Sequence, residues 1–203
     1  MKILLIIALC AILFYFLSRR LFLRKDAGGL IKSAKPNSYT HLDTSPQILA
    51  RVTRNTLWTV GIGIGLFFLV LILGMKIKIL WIALPLSLYL IGQLIVLTNH
   101  VKTVRNQRIY FDPTTDNVIV QYIQQETLYF NLLNDPIGVS EVKSVQKNRG
   151  TLFGYYKIRL RRQTVIVPYL IEQHGSSRAN SIFFERLRSF RHIEVETRLF
   201  PII

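Results

Sequence analysis

The amino-acid sequence predicts an α+β membrane protein: an N-terminal transmembrane helix, a transmembrane helical hairpin, then a small antiparallel β-sheet or barrel capped by a C-terminal amphipathic helix. Three observations carry this. Two apolar runs, 57–73 and 79–97, are separated only by Gly74, Met75, Lys76, Ile77 and Lys78. Each has the ~17–25 residues that a helix needs to cross a hydrocarbon core about 30 Å thick, and so short a connection leaves a hairpin. From residue 108 onward the apolar period changes from helical to alternating, and turn residues recur at strand-length intervals. The chain of 203 residues is 50% hydrophobic with a formal charge of +15, yet the apolar runs hold almost none of that charge. Basic flanks of this kind suit anionic headgroups and the cytoplasmic side of a membrane.

The order of segments follows. Residues 3–17 are apolar behind Lys2 and end in Phe14, Tyr15, Phe16 and Leu17, without the small residues of a cleavable signal. Leu9 before Cys10 also departs from a lipoprotein signal. We therefore expect 1–23 to be a retained anchor. Residues 24–54 read as a basic cytoplasmic linker, 55–99 as the hairpin and 100–203 as a cytoplasmic β-rich domain. Arg19, Arg20, Arg24, Lys25, Lys32 and Lys35 follow the anchor, and His100, Lys102, Arg105 and Arg108 follow the hairpin, whereas only Lys76 and Lys78 lie on the far side. This bias places the N-terminus outside and the C-terminal domain in the cytoplasm. Ser45-Pro46 opens a short amphipathic helix with Ile48, Leu49 and Val52 at helical spacing.

Within the hairpin, Gly61 and Gly65 bare one side of a helix for close packing on the next crossing or on a second copy. Pro85 interrupts the last crossing, and Trp58 and Trp81 suit interfacial positions. Neither run holds an ionisable group of the kind that proton relays and ion pathways use.

In the C-terminal half the alternation predicts strands over 108–111, 117–124, 126–133, 139–146, 155–162, 164–171 and 193–198, with turns at Asp112-Pro113, Asn134-Asp135-Pro136, Asn148-Arg149-Gly150, Gln163 and Gly175. One helix, 177–190, is capped by Ser176 or Ser177. It carries Ala179, Phe183, Leu187 and Phe190 on one stripe, with Ile182 beside them.

A hairpin whose exit from the membrane over 92–108 leads into the strand over 108–111, followed by a sheet containing 150–171 and the late amphipathic helix 177–190, resembles the membrane-anchored bacterial PH-like (pleckstrin-homology-like) domain proteins. That resemblance implies a strongly bent sheet capped by a helix, a bacterial plasma (inner) membrane, and a binding or scaffolding module without catalysis. The first anchor and the strand over 193–198 are additions to the pattern.

The residues most suggestive of chemistry are Lys157, Arg159 and Arg161, which period two sends to one strand face, with Arg162 at the turn and Lys147 and Arg149 in the turn before. They suit anionic lipid or a partner protein. The alternative is a solvated face paired with Glu141 or Glu172. Stacking of nucleic acid bases on Phe153, Tyr155 and Tyr156 is the disfavoured third reading. We expect no cofactor, no metal and no enzyme. Cys10 has no partner cysteine, and His41, His100, His174 and His192 are far apart. Asp112, Asp116 and Asp135 sit where aspartates stabilise turns, and no phosphate loop or nucleophile elbow is present.

Overall fold

The structure is a computed structural model that describes residues 11, 15, 38–42, 44–123, 126–172, 178–190 and 192–203. The expected first crossing and the basic linker as far as residue 37 lie outside the described residues, apart from Ala11 and Tyr15. So do His174, Gly175 and the capping serines at 176 and 177.

Helix α1, Pro46–Leu73, starts with proline in its first turn, as Ser45-Pro46 predicts, and runs unbroken through the expected boundary between linker and hairpin. Residues 74–77 turn the chain, a 3-10 segment, Lys78–Ala83, starts the return, and helix α2, Leu84–Asn106, follows it directly, beginning beside Pro85. Proline thus marks the beginning of a helix here, where its missing N–H costs nothing. Trp81 Nε1 donates to Gly74 O at 3.0 Å and closes the bend.

Pro46–Leu73 and Lys78–Asn106 are both long and apolar enough to cross a membrane. Only 33% and 28% of their most apolar windows are buried. Ile72, Ile79, Ile82 and Leu86 each expose more than half of their surface. A helix inside a soluble core would hide these side chains; here they form an apolar outer surface.

The two helices meet at Gly63, where a Cβ would lie 2.7 Å from Leu90 Cβ and 3.1 Å from Ile91 N and Ser87 O. Gly61 and Gly65, expected at this contact, have nothing within 4 Å of a Cβ position and face outward. The reason is helical phase: two residues along is about 200° around a helix of 3.6 residues per turn.

Four strands form the first sheet: β1 (Thr40–Leu42), β2 (Gln107–Phe111), β3 (Asn117–Tyr122) and β4 (Leu128–Asn131), antiparallel in the order β1-β2-β3-β4. The second has β5 (Gly138–Ser144), β6 (Gly154–Arg159), β7 (Thr164–Pro168) and β8 (Ile193–Arg198) in the order β7-β6-β5-β8, with β8 parallel to β5. The expected strands over 108–111, 117–124, 126–133, 139–146 and 193–198 coincide with β2 to β5 and β8 to within two residues at each end.

Two expected strands end early. The one over 164–171 stops at Pro168, which lacks a ladder donor, and Tyr169–Glu172 forms a helical turn, α3. The one over 155–162 stops at Arg159.

Both sheets share one core. Phe111 and Val120 come from the first, Ile158 and Val167 from the second, and α4 (Arg178–Arg188) inserts Ala179, Phe183 and Leu187 of the expected stripe, with Phe184 in addition. At about 1.5–3 kcal/mol per buried large apolar side chain, these residues fix the helix against both sheets. Arg186, on the outer flank of α4, pairs with Asp116 and donates to Pro113 O at 3.1 Å.

Candidate functional site

Sheet register decides which of the basic residues share a surface. Lys157 pairs with Ser140 and Arg159 with Gly138, and Ser140 pairs in turn with Glu194 of β8. Lys157, Arg159, Glu194 and Glu196 therefore line one face, around a polar cleft of about 420 Å³. Arg159 Nη2 lies 3.1 Å from Glu194 Oε2. Lys157 Nζ stands 5.7 Å from the Tyr155 ring centroid. The Arg198 guanidinium hydrogen-bonded to Glu196 holds that carboxyl below its usual range, and Lys157 adds to the effect.

The partners expected for a solvated face are elsewhere. Glu141 lies on the opposite face, accepts from the Tyr169 hydroxyl and sits 3.9 Å from Lys143; Glu172 pairs with Arg188. Burial, then the bond to Glu141, pushes the Tyr169 hydroxyl far above the usual tyrosine value. Parallel pairing by β8 supplies the acids instead, a long-range arrangement that no local pattern announces.

Arg161 and Arg162 lie beyond the end of β6, exposed in a turn where Leu160 N donates to Gln163 O at 2.9 Å. Lys147 and Arg149 lie at the other end of the strand, in the β5–β6 turn. Arg149 and Gly150 have φ of 46° and 85°, and Asn148 and Thr151 exchange backbone bonds of 2.8 and 2.9 Å, which closes a tight hairpin turn. The six residues of β6, about 20 Å of extended strand, lie between the two groups. The six candidate cations thus fall in three places: Lys157 and Arg159 on the acid-lined face, Arg161 and Arg162 past one end of β6, and Lys147 and Arg149 before the other.

The Lys147–Arg149 end is fastened to the helices. Thr59 Oγ1 of α1 donates to Asn148 Oδ1 at 2.8 Å, just inside the start of the apolar run. Phe153 and Leu170 are buried among Val52, Val96, Leu97 and Val101 of the two helices. The helical turn α3 explains why: it aims Leu170 at the helices and Tyr169 and Ile171 at the core of the domain.

The chain after β8 completes the attachment. His100, fully buried on α2, donates Nε2–H to Pro201 O at 2.8 Å. Asn99 binds Ile203 twice, accepting from its N at 2.7 Å and donating to its O at 3.2 Å. Tyr155 OH donates to Ile202 O at 3.0 Å, and burial raises that hydroxyl above its usual value. Phe200 covers Gly92 so closely that a Cβ there would lie 2.7 Å from the ring, and it meets Tyr89 at 5.5 Å between centroids. The sequence singled out Tyr155 only for disfavoured base stacking and His100 only as a residue flanking the hairpin, and it did not single out Asn99 or Phe200 to Ile203. The available signal was the apolar Leu199-Phe200-Pro201-Ile202-Ile203 directly after a charged strand.

Beside this attachment Val145 and Leu199 are 59% and 60% exposed, joined by Val145 N donating to Arg198 O at 3.1 Å. An exposed aliphatic pair next to Lys147 and Arg149 makes an amphipathic tip. Phe153, Tyr155 and Tyr156 are buried, so their faces are not offered to bases. Asp112 accepts from Thr114 N, Thr114 Oγ1 and Thr115 Oγ1, and Asp135 accepts from Asn131 N, each within its own turn. Among the described residues no group of three His, Cys, Asp or Glu could hold a metal ion.

Fold and site together define a two-sheet domain, closed by one helix and docked on an apolar helical hairpin. No protein-family model, no curated protein and no solved structure matches the chain.

Proposed function

We propose that this chain is a non-catalytic membrane tether, in which the hairpin crosses the bilayer and a cytoplasmic PH-like module binds the anionic lipid surface or a partner protein. One observation carries the reading: buried contacts hold the amphipathic tip, Val145 to Arg149 with Leu199, beside the start of the apolar run of α1. With the hairpin in lipid, that tip meets the headgroup layer, where each basic residue is worth about 1 kcal/mol. Weak contacts then act at high effective concentration. A two-sheet core closed by α4 supports the PH-like assignment, while β1 and the parallel β8 are additions to it.

The pair past the end of β6 favours a protein partner. Arg161 and Arg162 are exposed at the opposite end of β6 from the Lys147–Arg149 turn, available to an acidic surface, which fits the alternative that the chain is an accessory or assembly subunit of a larger membrane complex.

The test uses the full-length chain in liposomes, with Cys10→Ser and an environment-sensitive dye on Val145→Cys. The expected result is a dye that leaves water as the phosphatidylglycerol fraction rises, with Lys147→Gln/Arg149→Gln weakening the response in a salt-dependent way. A dye that reports water at every composition ends the lipid version. Release of the protein by alkaline carbonate ends the tether altogether.

A further inference from the structure

The outer face of α1 carries an open groove of about 920 Å³. Its wall toward the middle of the hairpin is apolar, made by Leu57, Gly61 and Ile62. Gly61 has nothing within 4 Å of a Cβ position, so the wall is furrowed there. Toward the domain the lining becomes cationic, with Arg54 of α1 and Arg105 of α2. Neither arginine is in an ion pair, and no acid lines the groove, among the described residues. Arg54 lies seven residues before Gly61, about 10 Å along a helix that rises about 1.5 Å per residue.

We infer that this groove is a site for one anionic glycerophospholipid, with the headgroup phosphate between Arg54 and Arg105 and an acyl chain along Leu57, Gly61 and Ile62. The inference rests on the membrane-spanning reading above. Guanidinium groups suit phosphate because they offer several donors in a fixed plane. The polarity gradient, cationic at the domain side and apolar toward the hairpin's middle, runs in the same sense as a lipid in the adjoining leaflet. Two other occupants are conceivable, the apolar segment 3–17 and a second copy of this chain. Charge separates them from lipid: the segment is followed at once by Arg19 and Arg20, and a second copy brings the same two arginines, so either sets like charges together.

The chain has two tryptophans, and Trp58 lines the groove while Trp81 lies at the opposite end of the hairpin. In Trp81→Phe protein reconstituted in nanodiscs, Trp58 fluorescence reports lipid in the groove through quenching by brominated acyl chains. Brominated phosphatidylglycerol is expected to reach half-quenching at a mole fraction about thirty-fold lower than brominated phosphatidylcholine, the combined worth of two basic residues at a lipid surface. Arg54→Gln/Arg105→Gln should bring the two lipids together, and Lys147→Gln/Arg149→Gln should leave the preference in place. Equal quenching in the parent protein, or a preference that survives loss of both arginines or vanishes with Lys147 and Arg149, overturns the site. A disulfide from Ile62→Cys to Cys10, or to Ile62→Cys of a second copy, with Trp58 left unquenched, also overturns it by giving the groove to protein. Alkaline carbonate extraction of the same samples reports separately on whether the hairpin spans the membrane.

Discussion

The two ends of the domain contain similar residues and are held in opposite ways. At the hairpin end, the β5–β6 turn, α3 and the residues after β8 are secured by α1 and α2, through Thr59, Asn99, His100 and Gly92. The far end secures itself: the Asp112 turn bonds its own threonines, and Arg186 of α4 ties down Pro113 and Asp116. The contrast extends to the cations. Lys147 and Arg149 adjoin exposed aliphatics, while Arg159 faces Glu194. An attached end and a self-contained end teach that the far side of the domain keeps its shape without help from the helices.

The strongest way to break this contrast is Gly92→Leu, which drives side-chain atoms into the Phe200 ring. We expect a loss of about 2 kcal/mol, the usual scale of overpacking. It should appear as a lower unfolding temperature of the full chain in detergent and faster proteolysis within 145–150, with cleavage at the far end unchanged. Phe200→Ala in the same chain should recover part of the loss, because the two residues share one contact. Additive losses would show that the tail does not attach the domain.

A smaller effect sharpens the picture of the far end. Hydrogen bonds from Thr114, first from its hydroxyl and then from its amide, hold the Asp112 carboxyl below its ordinary value of 3.8. A depressed folded pKa means stability that is fully present above 3.8 and lost as pH falls through the lowered value. Asp112→Asn should therefore unfold at a lower temperature than the parent near neutral pH and converge with it in acid. A gap that persists in acid would assign the effect to shape, not to ionisation.

The smallest expected change belongs to Arg159→Gln. Its pairing with Glu194 is solvent-exposed, so the stability difference should stay below about 0.5 kcal/mol in denaturant titrations. A larger loss would mean that the far face is braced by charge after all.

How much of this was legible in the sequence differs by element. The hairpin was, because two long apolar runs with a five-residue link admit one arrangement, and α4 was, because Phe183 and Leu187 recur at helical spacing. Which glycine packs was not: Gly61 and Gly65 form the familiar spacing, but helical phase turned Gly63 inward. The strand β1 is three residues without alternation, and Tyr169–Glu172 continues an apolar run that reads as strand until Pro168 is weighed. The basic row was visible, but its division depended on where β6 ends, and its acidic partners on a parallel pairing between β5 and β8. Attachment through Pro201, Ile202 and Ile203 uses main-chain atoms, which side-chain patterns do not encode.

Helix α2 passes into β2 between Asn106 and Gln107 with no loop between them. The first sheet is therefore a blade on a stiff handle: when the handle leans, the blade leans with it. If the hairpin spans a bilayer as proposed, a change in bilayer thickness that tilts it would swing the β3–β4 edge of that sheet through an arc, converting a property of the lipid into a direction outside it.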